Sequence, residues 1–174
     1  VLNMLGGYIP DDVLIQDTKI PFAAVATDIN TAQQVVIREG SLKAAIRASM
    51  SIPLLFRPVE HERKVLIDGG TTNPVPVDVV RDMGAQKVIA VNLYSQMFPK
   101  QLDINKMNFM QIIEAMVDTS LYNLSKEGTK KADIGLNLPI DPDLPITAFA
   151  EDPSALIEIG EKATREVIDK IRLL

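Results

Sequence analysis

An α/β domain is the fold this sequence predicts, and three observations carry the prediction. A short apolar strand, Val65-Leu66-Ile67, precedes a helical pattern at Val77, Val79, Val80 and Met83 and then a second apolar run, Lys87 to Leu93. Strand, helix and strand in that order form a right-handed crossover, which sets 64–67 and 87–93 parallel and brings their C-terminal ends to one rim of a sheet. Two longer amphipathic patterns, beginning near Phe109 and Asp152, supply helices to cover it. With 174 residues, 47% of them hydrophobic and 24% charged, the chain has material for one good core, so a single layered domain over 1–174 is expected.

The elements follow in chain order. Phe22 to Thr27 and Gln34 to Arg38 read as strands, and the turn-prone Asp28-Ile29-Asn30-Thr31 between them makes a hairpin. Leu42, Ala45, Ile46 and Met50 have helical spacing after Ser41, a good N-cap, and Pro53 closes the segment. Phe56 to Val59 and Lys64 to Ile67 flank the charged tetrad Glu60-His61-Glu62-Arg63, which is an exposed hairpin tip. Pro74 and Pro76 suit the start of the next helix and Gly84 its end. A long helix from Phe109 to about Gly128 leads to a strand at Ile134 to Leu138, a rigid loop containing Pro139, Pro142 and Pro145, and a last helix opened by Asp152-Pro153. Leu156, Ile159, Ala163, Val167, Ile168 and Ile171 form the apolar stripe of that helix.

Composition removes several classes of function. A formal charge of −5 with no local Lys/Arg cluster leaves no footprint for nucleic acid. The chain has no cysteine, hence no disulfide framework or thiolate metal site, as suits a reducing compartment. It contains no apolar run long enough to span a bilayer, and Val1 to Asp12 lack the pattern of a signal peptide. A cytoplasmic or peripheral-membrane location is expected. Because the first residue is Val1, a true N-terminus further upstream is also expected.

The chemistry concentrates at Asp68. Its strand delivers one carboxylate onto Gly69-Gly70, with Asn73-Pro74 close behind, and the glycines allow a sharp turn and the close approach of another group. No Gly-x-Ser-x-Gly stretch, the strained turn that exposes a nucleophilic serine, occurs anywhere. His61, the sole histidine, falls at the far end of the same strand from Asp68, which argues against a Ser-His-Asp triad drawn from this chain. Ser49 and Ser51 suit packing at a helix end. Asp11-Asp12 and Asp141-Pro142-Asp143 suit solvated loops, and Gly6-Gly7 suits a simple turn, so neither a metal nor a cofactor is expected. The crossover places Tyr94 to Asn108 beside Asp68, including the adaptable apolar side chains Met97, Phe98 and Met107, with Phe109 and Met110 just beyond.

Six blocks in order make the chain resemble the patatin-like phospholipases, especially their stand-alone bacterial members. These are Pro21-Phe22 through Ala26-Thr27-Asp28, Gly40-Ser41-Leu42 through Ala48-Ser49-Met50-Ser51-Ile52-Pro53, Phe56-x-Pro58-Val59, Leu66-Ile67-Asp68-Gly69-Gly70, Asn73-Pro74-Val75-Pro76-Val77, and Gly84 with Val88-Ile89-Ala90-Val91. Ala132-Asp133-Ile134 and Glu158-x-Gly160-Glu161-x-Ala163 resemble the family's C-terminal part.

The resemblance implies a three-layer α/β/α fold with a mostly parallel central sheet, incomplete in this chain. It implies hydrolysis of lipid acyl esters by a Ser-Asp dyad, with Asp68 as the acid-base residue supported by Gly69, Gly70 and Asn73. The Gly-rich oxyanion loop and the Gly-x-Ser-x-Gly nucleophile would lie N-terminal to the first block, so this chain alone is expected to be inactive. Met97, Phe98 and Met107 become candidates for contact with the acyl chain. The implied partners are a lipid or ester substrate, a membrane surface touched peripherally, and either the missing N-terminal segment or a second copy covering exposed sheet edges. Ala32 and Leu54 depart from the family, which usually has glycine at both positions, and this bears on local loop shape. The rival functions are a non-catalytic regulatory or binding module, or a nucleotide-binding α/β domain using the Asp-Gly-Gly turn.

Overall fold

The computed structural model describes residues 7, 9–100, 103, 105, 107–141 and 153–174. They form two compact units, which divide between Val79 and Val80. Strands and helices occur in both, and the chain is an α/β protein.

The first unit holds a four-stranded sheet of β1 (Ala24–Asp28), β2 (Gln33–Ile37), β3 (Val59–His61) and β4 (Lys64–Asp68), in the order β2-β1-β4-β3. Every pairing in it is antiparallel. β1 is an inner strand with all five residues buried, as expected for an apolar run with a partner on each edge. Helix α1 (Leu42–Ser49) begins where the sequence predicts, with the Ser41 side chain accepting from the Ala44 N–H at 3.3 Å. Its buried Ala45 and Ala48 share a core with Ile15, Ala24, Ala26, Ile37 and Leu66, and the small side chains let helix and sheet approach closely.

Both predicted hairpins form, and their turns carry unusual backbone. The β3–β4 pairing runs through His61 opposite Lys64, so only Glu62 and Arg63 make the turn, both with positive φ (48° and 65°). Two left-handed residues in a two-residue loop match the twist of the flanking strands. Ala32 and Leu54 also have positive φ, 56° and 72°. These are the two positions where the family resemblance calls for glycine, and the backbone there is the kind that glycine adopts without a Cβ penalty.

After β4 a 3-10 turn at Gly69–Thr71 leads to helix α2 (Val77–Asp82), which Gly84 ends at φ 98°. β5 (Ile89–Asn92) and β6 (Ile134–Asn137) then pair in parallel in the second unit, with α3 (Phe109–Thr129) in the connection between them. Asn108 and Gln111 form a capping box at the start of α3 that the sequence reading missed. The carboxylate of Asp133 accepts from the Val88 N–H at 2.8 Å and from Arg81 at 2.6 Å, fixing the entry to both strands. Helix α4 (Ser154–Arg172) lays Ile159, Ala163, Val167 and Ile171 against Ile134, Leu136, Leu138 and Ile140. Four of the six residues of the expected stripe therefore form the packing face. Pro142, Pro145 and Asp152 lie outside the described residues.

One expectation is corrected. Strands 64–67 and 87–93 do not form a parallel crossover within one sheet. β4 has β1 on one edge and β3 on the other, both antiparallel, and so has no free edge for β5. The parallel crossover in this chain is instead β5–α3–β6.

Gly69 shows how tightly the first unit is built. A Cβ added there would lie 2.6 Å from the carbonyl carbon of Val25 on β1, with backbone on both sides of the collision. Gly69→Ala is expected to lower stability by about 3 kcal/mol through overpacking, and Leu66→Ala, at a fully buried position, by about 2–5 kcal/mol. Ala32→Gly should have the opposite sign, a gain of about 1 kcal/mol from relief of left-handed strain. Urea midpoints of the three variants check these values.

Candidate active site

Asp68 is the last residue of β4 and opposes Ala26 in the register of β1. Its main chain is held on both sides: the N–H donates to the Ser51 carbonyl at 3.0 Å, and the carbonyl accepts from the Thr27 hydroxyl at 3.0 Å. Thr27 also shares a 2.9 Å hydrogen bond with the Thr72 hydroxyl, which ties β1 to the end of the 3-10 turn. The side chain then bends back as the cap of that turn, with Oδ1 accepting from the Gly70 N–H at 2.7 Å. Among the described residues Oδ2 takes no hydrogen bond. One carboxylate oxygen is thus fixed by the backbone, and the other has no hydrogen-bond partner among the described residues.

Burial pushes the Asp68 carboxyl above its ordinary value, and the Gly70 N–H opposes the shift without cancelling it. Two registers away, Asp28 at the end of β1 is shifted the other way, below the usual carboxylate range. There the Thr31 hydroxyl at 2.8 Å is the largest cause, and the Asn30 N–H at 3.2 Å adds to it. The difference lies in donors: Asp28 is sealed into a turn that stabilises its charge, whereas Asp68 is half-buried with a single donor.

The other predicted site residues in the first unit gather around Asp68 in structural roles. Gly69 is needed because the Val25 carbonyl comes close, so the approaching group is this chain's own strand. Gly70 supplies the capping N–H. Asn73 donates its N–H to the Gly69 carbonyl at 2.9 Å and its amide to Gln34 at 2.7 Å and Asp78 at 2.8 Å, joining the turn to β2 and α2. Ser51 is fully buried, with its hydroxyl donating to the Arg47 carbonyl at 2.9 Å and accepting from the Arg47 guanidinium at 2.6 Å, which is the expected helix-end packing. His61, at the hairpin turn, is at the opposite end of β4 from Asp68.

Met97, Phe98 and Met107 belong to the second unit, where each is half-buried. The Phe98 ring packs on Tyr122 of α3 with centroids 5.2 Å apart. The strand pairing from which they were placed beside Asp68 is the one corrected above.

Sequence reasoning missed the Thr27–Thr72 bridge. Thr27 is buried in a strand that is apolar from Ala24 to Ala26, and a buried hydroxyl requires a partner. That requirement was the available signal, although the partner, 45 residues away, was not legible. Among the described residues no group of three or more histidine or acidic side chains is arranged to hold a metal ion, and no helix is long and apolar enough to cross a membrane.

Residues 4–81 match the family model described as patatin-like phospholipase. An uncharacterised NTE family protein of Mycobacterium tuberculosis is 41% identical over 81 residues, which cover 47% of this chain and 22% of that protein. Patatin-like phospholipase domain-containing protein 7 of Mus musculus is 39% identical over 87 residues, and protein 6 of Homo sapiens 38% over 87, each match covering 49% of this chain and 6% of the relative. The matched portion is therefore under a quarter of these relatives' length. The family match covers the whole four-stranded sheet, α1 and the Asp68 turn, and over residues 4–81 the chain is similar to the patatin-like phospholipases.

Proposed function

We propose that this chain is the C-terminal portion of a lipid acyl ester hydrolase that works by a Ser-Asp dyad, with Asp68 as its acid-base residue and the serine supplied by sequence outside these 174 residues. The observation that carries the reading is the Asp68 carboxylate, fixed through Oδ1, open at Oδ2 and raised in pKa by burial.

In this reading Oδ2 takes the serine proton as the serine oxygen attacks the acyl carbonyl, and the protonated Asp68 then returns that proton to the leaving alcohol. Water, deprotonated by the same oxygen, then attacks the acyl-serine; the acyl–oxygen bond breaks, Asp68 gives the proton to the departing serine oxygen, and the fatty acid is released. A raised pKa favours this work, because a carboxylate in the ordinary range is a weak base at neutral pH. The Ser51 and Thr27 contacts to the Asp68 main chain keep Oδ2 in one place through these proton transfers. A nucleotide-binding role for the Asp-Gly-Gly turn fits less well, since the open face that a phosphate needs at Gly69 is filled by the Val25 carbonyl.

Asp68→Asn in the full-length protein is expected to lower kcat for a phospholipid or short-chain ester by on the order of a thousand-fold. Stability should move in the opposite direction. The folded state holds the Asp68 proton more tightly than the unfolded chain, so Asp68 removes stability as pH rises from about 3.9 through its folded value. The variant should therefore melt above wild type at pH 7, with the difference vanishing below about pH 4. Retained turnover would sink the assignment, and a lower melting temperature at pH 7 would make Asp68 a structural residue. For Met97, Phe98 and Met107 we propose contact with the acyl chain. Met97→Ser should shift chain-length preference in the full-length enzyme at unchanged stability, whereas Phe98→Ser should also lower stability through its lost packing on Tyr122.

A further inference from the structure

We propose that the groove between α3 and the face of the β5–β6 pair binds a phosphate-bearing anion. The groove lies wholly in the second unit and the proposal does not depend on Asp68. It encloses a cavity of about 540 Å³, and among the described residues none that lines it is acidic although the chain carries a net charge of −5. That volume exceeds what inorganic phosphate needs and suits a phosphate ester. It runs along the face of the parallel pair, from Gly135 near the start of β6 to Asn92 and Asn137, the last residues of the two strands.

The donors come from both walls. Tyr122, Lys126 and Lys130 are spaced four residues apart on α3 and its cap, and all three line the groove. Among the described residues Lys126 forms no salt bridge, although, after the Lys130 hydrogen bond, its charge helps to lower the Glu127 carboxyl, and its ammonium lies 6.0 Å from the centre of the Tyr122 ring. Lys130 pairs with Glu127 at 2.6 Å, but both side chains are well exposed, and such a pair holds its members weakly. On the opposite wall the buried Asn92 accepts from the Tyr94 N–H at 2.9 Å and donates to Asn137 Oδ1 at 3.1 Å. That clamp orients the Asn137 amide, whose own N–H groups have no partner among the described residues, and Gln96 adds a further amide donor at the rim. Lysines near a helix C-terminus also offset the helix dipole. That role requires neither the Asn92–Asn137 clamp nor a wall free of acids.

The test is an amide NMR titration of the 174-residue chain with glycerol 3-phosphate and, separately, inorganic phosphate, alongside co-sedimentation with phosphatidylglycerol vesicles. Glycerol 3-phosphate should shift the side-chain amide signals of Asn92, Asn137 and Gln96 saturably, with half-saturation in the millimolar range or tighter. Lys126→Met should weaken binding about ten-fold or more, while Lys126→Arg stays within about three-fold. Lys126 is exposed, so an unchanged melting temperature will show that the variant is folded, and Asn137→Leu gives a second, uncharged reading of the same site. Sedimentation with vesicles that Lys126→Met abolishes assigns the phosphate to a lipid headgroup; saturable glycerol 3-phosphate binding without sedimentation assigns it to a soluble ester. Absence of both, or binding that Lys126→Met leaves unchanged, overturns the proposal.

Discussion

The first unit depends on the contact between Gly69 and the Val25 carbonyl of β1. It lets the chain leave β4 in a tight 3-10 turn while staying packed on the neighbouring strand. The turn then aims the Gly70 N–H at Asp68, and Asn73 continues the path into hydrogen bonds with β2 and α2. A side chain at position 69 would push this whole sequence of contacts outward. The same economy of space runs through the core, where Ala24, Ala26, Ala45 and Ala48 allow sheet and helix to approach.

Asp28 and Asp68 show how one sheet prepares two carboxylates for different states. Three donors, from Thr31, Asn30 and the backbone beside Val65, hold Asp28 in its charged form, and it stabilises the turn that contains it. Asp68 has one donor and partial burial, so its charge is tolerated at a cost to the fold. Thr27 lies between them on β1, contributing to the second site through the Asp68 carbonyl and through Thr72. The strand is thus both the centre of the core and the brace of the candidate site.

Much of the local structure was legible in the sequence because it is set by short-range chemistry. The Ser41 cap, the Gly84 stop, both hairpins and the stripe on α4 all follow from residues within a turn or two of one another. Asp68 stood out because an apolar strand ends there in Asp-Gly-Gly, although an aspartate that opens a turn is also an ordinary structural role, and its Gly70 contact fills that role. What failed was long-range pairing. A strand, helix and strand series says nothing about whether the first strand's edges are already taken, and those of β4 are occupied by β1 and β3. Ala32 and Leu54 carry the reverse lesson: departures noted only against a family pattern proved to be backbone positions where an L side chain is strained.

The pairing of β1 with β4 has a consequence for how the site comes into being. Each hairpin closes a loop of a few residues, but Thr27 and Asp68 are 41 residues apart in the chain, and closing so long a loop costs more entropy. Each hairpin closes at a smaller loop-entropy cost than the docking of the two. Until that docking step, Asp68 ends a lone hairpin, hydrated and with an ordinary acidity. Its altered proton affinity is a property of the long-range contacts, so a partly folded chain that lacks them carries the carboxylate without the environment that tunes it.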